Sequence, residues 1–200
     1  MNLLVIDTET GGINASEHAL LQVAAIPVTR ENVNAEWMPI KDDPVFDAEF
    51  NHFIAPHTGL KLTEEAFAIN RLDYDWILNN GIEEAEVIKR LVEFASQYRN
   101  DRLFPVLCGW NLHFDIAFLE AAFKRSAIPW PFTAVSLDVS QRWRWDNIQL
   151  YDNYIFGGIA KAADVLLGKS VEHDALADVR LTIDLLNAFV RSEDQAVVVG

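Results

Sequence analysis

Two runs of apolar and β-branched residues, Leu3 to Glu9 and Leu20 to Val28, stand on either side of Thr10-Gly11-Gly12. Their composition and the glycine break between them predict two strands joined by a turn region. Glu49 to Ile54, reading Glu-Phe-Asn-His-Phe-Ile, predicts a third strand. With no helical stretch between them, the three read as an antiparallel meander. The pattern then changes period. Val87, Ile88, Leu91, Phe94, Ala95 and Tyr98 recur at helical spacing over Glu83 to Tyr98, after which Leu103 to Cys108 returns to a strand. A helix from about Phe114 to Arg125, a short strand around Val135 to Val139, and helices over Ile159 to Leu167 and Asp174 to Arg191 close the chain. The expected fold is α/β: a mixed five-stranded central sheet, antiparallel meander plus parallel strands, flanked by helices. The Asp- and Pro-containing stretch from Val33 to Phe46 reads as a long loop.

A chain of 200 residues, 50% hydrophobic, can bury one sizeable core. One domain is expected over residues 1–191, with 192–200 as a short, mobile tail. The single cysteine, Cys108, lies in an apolar run, which excludes an internal disulfide framework and a thiolate zinc cluster and suits a buried thiol in a reducing compartment. No basic segment precedes Asp7 and no apolar run is long enough to span a bilayer, so a cytoplasmic protein without a membrane partner is expected. The formal net charge of −14 argues against long, non-specific binding to duplex nucleic acid. It is compatible with a local cluster of carboxylates that cations complete.

Candidate chemistry gathers at three places. Asp7 and Glu9 lie two apart at the end of the first strand, and a period of two puts both carboxylates on one side of the sheet. Solvated polar residues at a strand end would also explain them. Asp115 falls in the first turn of the helix that follows Gly109-Trp110-Asn111-Leu112-His113-Phe114, where the helix dipole favours an acid and supplies a structural explanation. Asn111 suits a role in holding that strand-to-helix turn ahead of any contact with substrate, and Phe114 belongs to the packing stripe. The third place is His173-Asp174-Ala175-Leu176-Ala177-Asp178. Asp178 is one turn inside an amphipathic helix, His173 precedes it, and Asp174 stands where a helix N-terminal acid is expected. Four hard carboxylates and one imidazole favour magnesium or manganese over zinc. The chemistry such a set suits is two-metal phosphodiester hydrolysis, with a histidine of ordinary pKa near 6.5 able to take a proton from water at neutral pH.

Val-Ile-Asp7-Thr-Glu9-Thr-Gly, Asn111-Leu-His-Phe-Asp115-Ile-Ala-Phe-Leu and His173-Asp-Ala-Leu-Ala-Asp178 resemble, in order and spacing, the three motifs of the DnaQ-like DEDDh exonucleases. Lesser echoes are Leu21-Gln-Val-Ala-Ala-Ile, where the family often has Glu in place of Gln22, Glu65-Ala-Phe-Ala-Ile-Asn70, and Ser136-Leu-Asp138. The resemblance implies an RNase H-like fold and a 3′→5′ exonuclease that releases nucleoside 5′-monophosphates from single-stranded or frayed DNA or RNA. It also implies two Mg2+ ions per site, with Mn2+ able to substitute. Asp7, Glu9 and Asp178 would hold the ion that activates water, Asp7 would also touch the second ion, Asp115 would support that second ion, and His173 would be the general base. Thr8 and Thr10 would lie beside the terminal nucleotide, with Asn111 and Phe114 as further substrate-binding candidates. A homodimer or a polymerase are the candidate protein partners, and a docking subunit of a polymerase is the alternative function.

Other signals point to structure. Gly168-Lys169-Ser170 has the end of a phosphate loop without its upstream glycine, since Ala163 stands there, and reads as a helix C-terminus and turn. His18, His52, His57 and His113 have no mutual metal-ligand spacing. Arg142-Trp143-Arg144-Trp145 has the composition of a single-strand stacking surface, with core packing of the tryptophans as the favoured role.

Overall fold

The computed structural model describes residues 2–32, 35–41, 48–148, 158–171 and 174–191, with the backbone of the last helix continuing to 197. The strands are β1 (Leu3–Thr10), β2 (Leu20–Thr29), β3 (Met38–Pro39), β4 (Phe50–Phe53), β5 (Val106–Gly109) and β6 (Ser136–Asp138). The helices are α1 (Glu64–Asn70), α2 (Tyr74–Asn80), α3 (Glu84–Ser96), α4 (His113–Arg125), α5 (Val139–Asp146), α6 (Ile159–Leu167) and α7 (Ala175–Val197). All six strands form one sheet in the order β3-β2-β1-β5-β6, with β4 also paired to β2. β1 runs antiparallel to β2 and parallel to β5, and β5 is parallel to β6. The sheet is thus mixed and helix-flanked, as the pattern predicts, and has one strand more than expected. That strand, β3, falls in the stretch read as a loop. Its two residues are too few to carry a period; they pair with Val28 and Thr29, and the preceding Trp37 is pinned to α7. The pin is Asn187, whose Oδ1 accepts from the Trp37 N–H at 2.7 Å and whose Nδ2 donates to the Trp37 carbonyl at 2.9 Å.

Strand alternation divides β1 between two cores. Leu4 and Ile6 pack with Val87, Leu91, Phe118 and Phe123 of α3 and α4, whereas Leu3 and Val5 pack with Val179, Ile183 and Phe189 of α7. Each such side chain contributes about 1.5–3 kcal/mol when fully buried, and a one-residue slip would exchange the two faces. The register that the core demands therefore decides where Asp7 and Glu9 point. On one side, α4 is locked to α3 by a fork-shaped ion pair: Arg125 donates from Nε and Nη2 to the two carboxylate oxygens of the buried Glu84, at 2.8 and 2.7 Å.

Three short helices, α1, α2 and α5, were not expected as elements. Each begins at a side-chain cap: Thr63 Oγ1 accepts from Ala66 N–H, Asp73 Oδ1 from Trp76 N–H, and Asp138 Oδ1 from Ser140 N–H. β5 starts at Val106, later than expected, because Asn100 and Leu103 close a tight turn on each other and Pro105 has no N–H for a ladder. Cys108 is buried, and burial pushes its thiol up to about 12. Gly168 caps α6 with φ 64°, which accounts for the phosphate-loop-like tripeptide as a helix end. Among the described residues, no helix is long and apolar enough to cross a membrane.

Candidate active site

Asp7 and Glu9 continue the face of β1 that Leu3 and Val5 turn towards α7. Asp178, in the first turn of α7, comes to meet them. One carboxylate oxygen from each of Asp7, Glu9 and Asp178 lies within 4.8 Å of the others, and among the described residues these are the acids that converge in this way. Asp178 is buried, and Asp7 and Glu9 are half-buried. Asp174, the competing acid, does what a helix N-terminal acid should: its Oδ1 accepts from the N–H groups of Leu176 and Ala177, each at 3.1 Å.

Asp115 is outside that converging set and is bound to Thr8 of β1, between Asp7 and Glu9. Its Oδ1 accepts from both the N–H and the Oγ1 of Thr8, at 2.9 and 2.7 Å, so the residue between Asp7 and Glu9 holds α4 to the strand end. Burial pushes Asp115 up to about 7, and these hydrogen bonds hold it from going higher. Burial, followed by the neighbouring acids Asp178, Asp174 and Asp115, pushes Glu9 up to about 8. Asp7 is raised well above the ordinary carboxylate range, first by burial and then by Asp115, Asp178, Glu9 and Asp174. Crowded, desolvated acids resist ionisation unless a cation joins them. The donor set here is all oxygen, which fits a hard divalent ion.

Beside the cluster lies a cavity of about 400 Å³, lined by Thr8, Glu9, Thr10, Gly12, Ile13, His18, Thr63, Glu65, Ala66, Ile69, Asn70 and Phe114. Its mouth is apolar: Ile13 is 88% exposed and Ile69 62%. Thr10 Oγ1 donates to the Gly12 carbonyl at 2.7 Å, folding the turn inwards, and a Cβ on Gly12 would strike the His18 ring. Phe114 lies 5.0 Å from Phe118, ring centre to ring centre, and so joins the packing stripe to the cavity wall. Sequence reasoning missed the wall that α1 supplies. The Thr63 cap was the available signal.

Asn111 is not among the cavity residues. It takes a left-handed φ of 57°, its N–H donates to Asp138 Oδ1 at 3.0 Å, and its Oδ1 accepts from Arg144 Nη2 at 3.3 Å. It holds the strand-to-helix turn, through its backbone as well as its side chain. Of the basic-aromatic run, Trp143 is buried and Trp145 is 73% exposed. His173 lies outside the described residues.

The RNase_T family model, described as Exonuclease, matches residues 4–186. The chain belongs to this exonuclease family. It is a DnaQ-like 3′–5′ exonuclease, a hydrolase, of a divalent-metal-dependent class. It is 26% identical over 194 residues to Ribonuclease T of Actinobacillus pleuropneumoniae serotype 5b, covering 94% of this chain and 82% of that protein. It is 27% identical over 190 residues to Ribonuclease T of Histophilus somni, covering 91% and 80%. In fold the exonuclease resembles Exonuclease I of Methylocaldum szegediense, with a TM-score of 0.72 and 20% identity over 96% of this chain and 41% of that one. E. coli Exonuclease I in complex with a dT13 oligonucleotide gives a TM-score of 0.71 and 17% identity, covering 98% and 42%. The chain thus spans about two fifths of the length of those structural neighbours.

Proposed function

We propose that this exonuclease removes nucleoside 5′-monophosphates, one at a time, from the 3′ end of single-stranded or frayed DNA or RNA, with two Mg2+ ions for which Mn2+ can substitute. The observation that carries the reading is the adjacency of the Asp7–Glu9–Asp178 cluster to a nucleotide-sized cavity that shares Glu9 with it. The named relatives support it: Ribonuclease T for RNA, and the complex of Exonuclease I with a dT13 oligonucleotide for DNA.

In this reading Asp7, Glu9 and Asp178 would hold one divalent ion, with Asp7 and Asp115 as the residues that would hold a second. Bound divalent ions supply polarisation of the scissile phosphate and acidification of water. The chain's own residues do the rest. Thr8 orients Asp115, and Thr10, Phe114 and the exposed Ile13 and Ile69 enclose the terminal nucleoside, keeping the reacting phosphate in place. His173 accepts the proton of the attacking water as the water oxygen bonds to phosphorus. The P–O3′ bond breaks, the departing oxygen takes up a proton, and the strand is left one residue shorter with a new 3′-OH. Asn111 acts at one remove, by shaping the turn that carries Asp115. A docking subunit of a polymerase needs no such buried acid cluster, so nothing in the site favours that reading.

The test is degradation of 5′-labelled and 3′-labelled oligonucleotides, DNA and RNA, single-stranded and duplex, with Mg2+ or with chelator. A ladder of 5′-labelled fragments shortened stepwise, and immediate mononucleotide release from 3′-labelled strands, is expected. Release first from the 5′ end, or cleavage indifferent to chelator, would overturn the proposal.

A further inference from the structure

We infer that Gln22 is a positioning residue of this active site: its buried carboxamide ties the start of α7 to the sheet and thereby holds Asp178 against Asp7 and Glu9. The inference rests on the proposed reading of those three acids as the metal-holding set.

Gln22 stands directly across the β1–β2 ladder from Glu9, so the two side chains leave the sheet on the same face. It is fully buried among apolar neighbours of its own strand, Leu20, Leu21, Val23 and Ala24. Its Nε2 donates twice, to Asn51 Oδ1 at 2.9 Å and to Asp174 Oδ2 at 3.1 Å. The amide nitrogen is thus the atom that faces Asp174, with the carboxylate oxygen as acceptor. The other oxygen of the same carboxylate caps α7 through Leu176 and Ala177. One turn on, the Asp178 N–H donates to the Asp174 carbonyl at 2.9 Å. An unbroken run of hydrogen bonds therefore leads from the middle of the sheet, through Gln22 and Asp174, to the backbone of Asp178.

The placement is costly for a group with a merely structural role. Gln22 Oε1 is buried and has no hydrogen-bond partner among the described residues, where an apolar side chain would leave nothing unsatisfied. What the amide supplies is a donor at the one place where the last helix must be indexed to the strand end. A helix that slid by a fraction of an ångström would still bury its apolar stripe, but it would separate the three acids.

Gln22→Leu keeps the bulk and removes the donor. Asp174→Ser keeps a capping oxygen for α7 and removes the oxygen that Gln22 holds. Each variant is compared with the wild type by stepwise degradation of a 5′-labelled oligothymidylate in Mg2+, by Mn2+ affinity from loss of the free-ion EPR signal, and by Tm. The expected result for both is a kcat lower by about tenfold or more, an oligonucleotide KM within about twofold of wild type, and a weaker Mn2+ affinity. The double variant should be little worse than either single one. Asn51→Ala, which leaves the Gln22–Asp174 bond in place, should stay within about twofold of wild type in kcat. Wild-type kcat and Mn2+ affinity in either folded variant would overturn the positioning role, as would additive losses in the double variant. If Gln22→Leu does not fold, Asp174→Ser decides alone. A wild-type protein without metal-dependent exonuclease activity would instead defeat the functional reading, while the Mn2+ affinities would still test the clamp.

Discussion

Thr8 gives both of its hydrogen-bond donors, the backbone N–H and the Oγ1, to a single oxygen of Asp115. The contact joins the end of β1 to the first turn of α4, and it places a residue of the strand between two acids in the service of a third. Bonds from a hydroxyl and an amide to a buried carboxylate favour its charged form. Thr8→Val, close in shape, removes the hydroxyl donor alone. The expected cost is about 1.5–3 kcal/mol of stability, visible in denaturant unfolding. Because the lost bond lowers the Asp115 pKa, its removal lets that pKa rise. The acid limb of the pH–rate profile should move to higher pH. A Thr8→Val enzyme with an unmoved acid limb would remove Thr8 from the support of Asp115.

The raised acids make metal-free stability depend on pH with a definite sign. Glu9 goes from an ordinary 4.5 to about 8, and Asp115 from 3.8 to about 7, in both cases chiefly through burial. Over the interval between the ordinary and raised values the folded protein holds protons that the unfolded chain has lost. Stability without metal is therefore fully present below about pH 4 and falls as pH rises through 7 to 8. Mg2+ competes with those protons, so its gain in Tm should be larger at pH 8.5 than at pH 6. Thermal melts in chelator and in Mg2+ at the two pH values check this, and an equal Mg2+ gain at both would show that the acids are not the ligands.

Asp7→Asn separates function from stability in opposite directions. Desolvation and four neighbouring acids disfavour the charged form of Asp7, so a neutral amide should leave the metal-free Tm unchanged or raise it. If Asp7 is shared between two ions as proposed, its loss should lower activity by about a hundredfold or more. A destabilised and inactive variant would point to a fold defect. A stable variant with residual Mg2+-dependent cleavage near wild type would place the site elsewhere.

His173→Ala tests the proton acceptor. Metal affinity, followed by Mn2+ EPR, should largely survive, while turnover near neutral pH falls by about a hundredfold or more. Turnover equal to wild type would take His173 out of the assignment.

How far the sequence reveals this site depends on the distance over which each relationship acts. β1, β2 and the long helices announce themselves because their apolar periods extend over enough residues to be read, and motif order brings Asp7, Glu9 and Asp178 into one hypothesis. The two-residue β3 carries no period, and the Trp37 that precedes it is tied to Asn187, a residue far away in the chain. The helices α1 and α5 are too short for a clear stripe, though Thr63 and Asp138 cap them in the ordinary way. Gln22 is visible as a polar residue in an apolar strand. Its reach to Asp174 emerges only when strand register and helix placement are both known. The bond from Thr8 to Asp115 is hidden for the same reason.

The wall supplied by α1 is the part of the site that sequence reading missed, and it carries the last prediction. Ala66 faces the cavity one turn after the Thr63 cap, beside Ile69 and across from Phe114. A large side chain there would occupy space in the 400 Å³ cavity, to whose lining the acid cluster contributes Glu9 alone. Ala66→Trp should therefore raise the oligonucleotide KM by roughly tenfold or more and weaken inhibition by added nucleoside 5′-monophosphate in the same proportion. Mn2+ affinity should change far less than KM, since Asp7 and Asp178 are not among the residues that line the cavity. A variant with unaltered KM and product inhibition would mean that the terminal nucleotide lies elsewhere, and the cavity would lose its place in the mechanism even if the metal centre kept its own.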